Sequence, residues 1–200
     1  MRDVLFLFAL FAVEAWAEQQ QSATLSLEGL SQQYCSGDED VGQIRIAARL
    51  RYANMSKVPV LLFRQSHNVE SIRLRLIDNP AGDKKGEYNI SNSTILGDLN
   101  VTPHYSEQDF VRLTPGGIYS EQIVFSFPFQ RLGRKYAGDL PTDGGYWLSI
   151  NVSIWPGTLG EATDLKAKFS NATILTQPVW SKPVRIAVRS DLRGQTCVPE

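Results

Sequence analysis

The sequence predicts an all-β protein, a sandwich or barrel of short strands. Stretches of alternating apolar and polar residues recur along the chain. Clusters of Gly, Pro, Asn and Asp separate them, and only Leu159–Phe169 carries a helical pattern, of one or two turns.

The elements follow in order. An early strand is expected near Ala23–Leu30. Gln43–Tyr52 places Ile44, Ile46, Ala48, Leu50 and Tyr52 on one face, with Arg45, Arg49 and Arg51 on the other. The turn at Asn54-Met55-Ser56-Lys57 leads into a strand over Val58–Arg64, whose Pro59 suits a first residue or an edge. Ser71–Ile77 sets Ile72, Leu74 and Leu76 against Arg73 and Arg75, and Asp78–Asp83 closes it as a turn. Residues 78–109 read as a long exposed connection with one short strand near Tyr88–Ile90. Phe110–Leu113 is a short strand ended by Thr114-Pro115-Gly116-Gly117. Ser120–Phe129 aligns Ile123, Phe125, Phe127 and Phe129, and residues 130–144 form a loop. Gly145–Trp155 alternates Tyr146, Leu148, Ile150, Val152 and Ile154 with Trp147, Ser149, Asn151, Ser153 and Trp155. Pro183–Arg189 is the last strong strand.

The chain has 200 residues and a mass of 22.3 kDa, 42% apolar and 20% charged. That suffices for one domain with its own core and excludes intrinsic disorder. A net charge of −1 argues against a nucleic-acid binder. Two His and two Cys cannot fill the usual zinc or iron–sulfur ligand sets, so neither metal nor cofactor is expected. Asp38-Glu39-Asp40 offers oxygens for calcium but lacks the spaced acidic loop that holds it.

Residues 1–17 read as a secretory signal peptide, and 18–200 as a single domain. The apolar run Val4–Val13 is followed by Ala15-Trp16-Ala17 and then by Glu18-Gln19-Gln20-Gln21. The run is too short for a bilayer core of ~30 Å, so no membrane span is expected after cleavage. Removing these residues takes away Arg2, Asp3 and Glu14, which leaves 19 basic and 19 acidic residues. Export to an extracellular or periplasmic space favours pairing of Cys35 with Cys197, the alternative being a bridge to another chain. The loop so closed spans nearly the whole domain, an entropic stabilisation of roughly 5 kcal/mol at most.

Three segments carry a resemblance. Leu50–Leu62 combines an alternating strand, an Asn-x-Ser turn and a proline-led strand; Phe110–Gly116 reads FVRLTPG; Leu140–Leu148 reads LPTDGGYWL. Together they resemble secreted and cell-envelope immunoglobulin-like domains over roughly residues 43–155. The resemblance implies an immunoglobulin-like antiparallel β-sandwich of about 7–9 strands, with at most one short helix. In antibody domains a tyrosine at the position of Tyr146 forms a tyrosine corner. The Cys–Trp–Cys core of those domains is absent here, and the motifs carry no function.

Six of the eight asparagines lie in sequons: Asn54, Asn89, Asn92, Asn100, Asn151 and Asn171. They are either N-glycosylation sites or turn and strand chemistry, and Asn89 and Asn92 are too close for easy double occupancy. Arg45, Arg49, Arg51, Arg73, Arg75, Arg185 and Arg189 occupy the non-core phase of three strands. They form one cationic face if those strands share a sheet, and otherwise solvated faces with paired acids. Trp147 and Trp155 take the outward phase of their strand, with Trp180 nearby in sequence; each either binds a partner or packs between layers. His67 and His104 fall in loops without a G-x-S-x-G, H-E-x-x-H or C-x-x-C motif.

These readings favour a secreted, non-catalytic module that binds an extracellular or periplasmic protein. A carbohydrate- or polyanion-binding module is the alternative, and a secreted hydrolase the less favoured one. The intact mass of the protein exported by its native host is expected to match residues 18–200 less two protons, plus any glycans. A mass unchanged on reduction after glycan removal would sink the cysteine clasp.

Overall fold

The structure is a computed structural model that describes residues 22–35, 40–64, 68–78, 86–91, 105–131, 140–155, 159–169 and 171–192. The signal-peptide segment, Cys197, His67 and His104 lie outside them. Among the described residues there are eleven strands and one α-helix. The strands are β1 (Ala23–Cys35), β2 (Val41–Asn54), β3 (Val60–Phe63), β4 (Asn68–Leu76), β5 (Glu87–Ser91), β6 (Phe110–Leu113), β7 (Ile118–Gln130), β8 (Gly144–Ser153), β9 (Thr173–Ile174), β10 (Val179–Trp180) and β11 (Val184–Val188). The helix α1 covers Leu159–Lys168. The all-β expectation and the single short helix both stand. The strand number exceeds the expected seven to nine, because β9 and β10 are two residues long and carry no periodicity of their own.

Strand β2 lies between β1 and β7 in an antiparallel sheet. Ile44, Ile46, Leu50 and Tyr52 are fully buried, as their alternation requires. Gly42 faces Phe129 in register, and a Cβ there would overlap the Phe129 ring, so the glycine leaves the space the ring fills. Strand β1 runs past its expected end by means of a bulge. Glu28 pairs with Arg49 but Ser31 pairs with Ala47, which leaves one extra residue on β1. Gly29 (φ +60°) supplies the left-handed backbone. The bulge shifts the phase, so Ala23, Leu25 and Leu27 face inward before it and Leu30 and Tyr34 pack on the core after it. Cys35 is buried at the end of this strand.

The second sheet is built on β8. Strand β4 pairs with one edge of β8, and β5 lies outside β4. Strands β10 and β11 share the other edge of β8, at Asn151–Val152 and Gly144–Leu148 respectively. Ile72, Leu74, Tyr146, Leu148, Ile150 and Val152 turn inward and join the residues of β2 in one buried cluster. The two sheets meet along an edge, where Lys182 N donates to Leu25 O (2.8 Å). Further along, Gln32 Nε2 and Tyr34 Oη donate to Ala187 O (3.0 and 3.1 Å), and Arg189 N donates to Tyr34 Oη. A small third sheet, in the order β6-β3-β9, closes one end; all four residues of β3 are buried.

Two local devices match the sequence resemblance. Tyr146 Oη donates to Thr142 O (3.0 Å) and accepts from Thr142 N (3.2 Å), a tyrosine corner at the entry to β8. Asn54 ties two turns together. Its Nδ2 donates to Val58 O and Leu113 O (2.9 Å each), and its Oδ1 accepts from Ser56 N and Ser56 Oγ (2.8 Å each). Asn54 is only 1% exposed, so every bonding position of its carboxamide is used inside the fold.

Replacing Asn54 by Asp keeps the shape but removes both donors and brings a charge toward the Val58 and Leu113 carbonyls, the second of them buried. Asn54→Asp is expected to lower stability by about 2–4 kcal/mol at pH 7, read from urea unfolding. A loss under about 0.5 kcal/mol would show that the turns hold without this hub.

Candidate functional site

The arginine array divides between two sheets. Arg45, Arg49 and Arg51 stand on the outer face of β2 in the first sheet. Arg73 and Arg75 on β4, with Arg185 on β11, belong to the second. The single cationic face considered from sequence is therefore two faces. Strand phase fixes that a side chain points outward but not which sheet carries it. Arg189 lies just past β11, with Nη2 3.3 Å from Asp191 Oδ2.

On the second sheet, arginines and tryptophans interleave. Trp147 pairs in register with Arg75 on one side and Arg185 on the other. The Arg185 guanidinium carbon lies 5.7 Å from the Trp147 ring centroid, and that of Arg73 lies 4.3 Å from the centroid of Trp180. Arg73 Nε also lies 3.3 Å from Glu87 Oε1 and donates to Asn89 Oδ1 (3.2 Å). Glu87 stands directly opposite Arg75 in register but turns to Arg73. Arg75 has no ion pair among the described residues. Between these groups lies an open cleft of about 230 Å³, lined by Arg73, Arg75, Glu87, Trp147, Ser149 and Pro183.

Exposed cation–π contacts contribute about 0.5–1 kcal/mol each, and an exposed ion pair no more. The contacts therefore orient the face more than they stabilise the fold. Trp180 was noted from sequence only as a neighbour. It reaches the face because β10 pairs with β8 at Asn151, opposite Ser71 of β4.

Trp155 does not belong to this face, a correction to the sequence reading. Strand β8 ends at Ser153, and beyond its end Ile154 and Trp155 are both buried. Trp155 packs among Tyr105 (5.1 Å between ring centroids), Phe63 (6.2 Å) and Phe110 (6.3 Å). The alternation that assigned it to the surface applies only while the strand continues.

The remaining sites are placed as follows. Asn54 is buried, and its amide is consumed by the turns, so the folded chain has no room for a glycan there. Asn89 is exposed on β5, Asn151 half-buried on β8 and Asn171 exposed after α1. A glycan on Asn89 would lie beside Arg73 on the second-sheet face. Asn92, Asn100, Asp38 and Glu39 lie outside the described residues. Among the described residues no three His, Cys, Asp or Glu side chains come close enough to hold a metal.

One carboxylate pins the edge of the face. Asp143, at the entry to β8, accepts from Ser190 Oγ and Ser190 N (2.5 Å each), just after β11. These hydrogen bonds, the hydroxyl's first, hold its pKa below the ordinary aspartate range.

No family model matches the chain, and no curated protein has a similar sequence. Among solved structures, the chain is similar to one described as the "X-ray structure of Northeast Structural Genomics Consortium target SoR45". Identity is 12%, the match covers 90% of this chain and 96% of that one, and the TM-score is 0.35. A likeness that distant carries no function across.

Because the Asp143 pKa is lowered by folding, its contribution is present above the unfolded-state pKa and is lost as pH falls through the folded one. Ser190→Ala is expected to cost about 1 kcal/mol at pH 7. That difference from the parent protein should shrink toward zero in the most acidic range where both still fold. A difference independent of pH, in unfolding curves taken across that range, would assign the loss to packing instead.

Proposed function

We propose that this protein is an exported, non-catalytic binding domain, and that it engages a protein partner through the outer face of its second sheet. The observation behind the reading is the pair of tryptophans, Trp147 and Trp180, each flanked by a guanidinium on a rigid strand. Aromatic and arginine side chains concentrate binding energy at protein interfaces, where a partner removes them from water. Here the backbone ladder of β4, β8, β10 and β11 holds them in place before a partner arrives, which lowers the ordering cost of association. Arg75, without an acid partner among the described residues, is placed to meet a carboxylate on the partner. Export and the Cys35–Cys197 clasp form part of the same proposal.

The test is capture of a partner from the host's envelope or extracellular fraction with the exported protein, followed by titration of the identified partner. Trp147→Ala is expected to weaken binding at least about tenfold, within the range of interface hot spots, while thermal unfolding barely moves. Unchanged affinity in both Trp147→Ala and Arg73→Ala would remove this face from the interaction.

A further inference from the structure

The opposite side of the molecule carries a second feature. On the outer face of the first sheet, three cross-strand rows lie side by side: Glu28–Arg49–Gln122, Ser31–Ala47–Val124 and Gln33–Arg45–Ser126. The middle row is low because Ala47 is small. The bulge beside it presents Gly29, whose missing side chain leaves open space. Two depressions of about 360 and 340 Å³ result, and both are lined by Ser31, Ala47, Gln122 and Val124. The shared lining makes them one trough running along β2. Arg49 lines one end and Arg45 the other, four residues or roughly 13 Å apart along the strand.

We propose that this trough binds a segment of a linear acidic polysaccharide. Its charge fits an anionic ligand. Glu28 stands opposite Arg49 in register but directs its carboxylate to Arg51 (3.5 Å), so Arg49 has no ion pair among the described residues. Guanidinium groups bind carboxylate and sulfate alike, in paired hydrogen bonds. The walls favour a sugar chain over a peptide. Beside the arginines they offer the carboxamides of Gln33 and Gln122, and between them the Ser31 hydroxyl, which suit a ligand rich in hydroxyl groups. Val124 is the one large apolar side chain exposed in the trough, at 45%. The central strand β2 offers an acidic peptide neither an apolar anchor pocket nor a free strand edge, so a peptide would be held by the arginines alone. The volumes sit at the low end for small-ligand sites, as an open groove on a sheet requires.

The experiment uses the exported protein and four probes: a heparin oligosaccharide, an oligogalacturonate, a maltooligosaccharide and poly-glutamate. Binding is measured by calorimetry at two salt concentrations. Salt-sensitive binding of either acidic oligosaccharide, with none of the neutral one, is expected; which of the two binds assigns sulfate or carboxylate. Ala47→Tyr fills the trough without changing charge, and Arg49→Gln removes one cation at nearly constant size. Each is expected to weaken binding about tenfold or more with the thermal midpoint held. Arg49→Gln keeps the test valid if Ala47→Tyr does not fold. Arg75→Ala, on the other sheet, is expected to leave saccharide binding unchanged. The proposal falls if neither acidic saccharide binds, if both trough variants bind as the parent does, if poly-glutamate binds as tightly, or if Arg75→Ala costs as much as Arg49→Gln. The first three outcomes leave the Trp147 face untouched, the last would move the saccharide onto it, and partner capture is read in its own Trp147→Ala titration, so the two readings fail separately.

Discussion

The inner faces of β2 and β8 are buried in a single cluster, and the rest of the structure follows from that burial. A strand presents alternate side chains to opposite faces, so filling one face with Ile44, Ile46, Leu50 and Tyr52 fixes which residues must point outward. The arginines of β2 and β4 and Trp147 of β8 are surface residues because their neighbours are core residues. Shifting the register by one would bury charge and expose a whole apolar set, which no surface hydrogen bond offsets. The outer faces are thus by-products of the core, carried by the same strands.

Departures from regular pairing shape those faces. The bulge at Gly29 restores the inward phase of Tyr34 and opens the trough beside Ala47 with the same extra residue. The division of one β8 edge between β10 and β11 brings Trp180 and Arg185 onto the face that holds Trp147. Asn54, Tyr146 and Asp143 then fix the turns and edges around these strands through side-chain hydrogen bonds to backbone. The polar hubs specify where the strands begin and end, and the hydrophobic cluster supplies the stability.

The two outer faces differ in chemistry. The second-sheet face is aromatic and cationic, with its guanidinium groups lying over rings. The first-sheet face is amide- and hydroxyl-lined, with cations at the ends of a trough. Aromatic rings and guanidinium groups are the side chains enriched in protein interfaces, while hydrogen-bonding side chains over a shallow groove suit a hydroxylated chain.

The sequence by itself determined the fold class and the inner and outer sides of the long strands. Period-two alternation is a local property, written directly in residues such as those of β2 and β8. It also marked the turn at Asn54, whose bonds to Ser56 and Val58 close within a few residues, and the resemblance to immunoglobulin-like domains pointed to the Tyr146 corner. Three things were decided only by the tertiary structure. The sheet to which each arginine belongs depends on strand pairing between distant segments. The burial of Trp155 depends on Tyr105, Phe63 and Phe110 covering the end of β8. The place of Trp180 depends on a two-residue strand that exists only because β8 offers it an edge. Each is a non-local contact, and the alternation of one segment carries no information about which partner it meets.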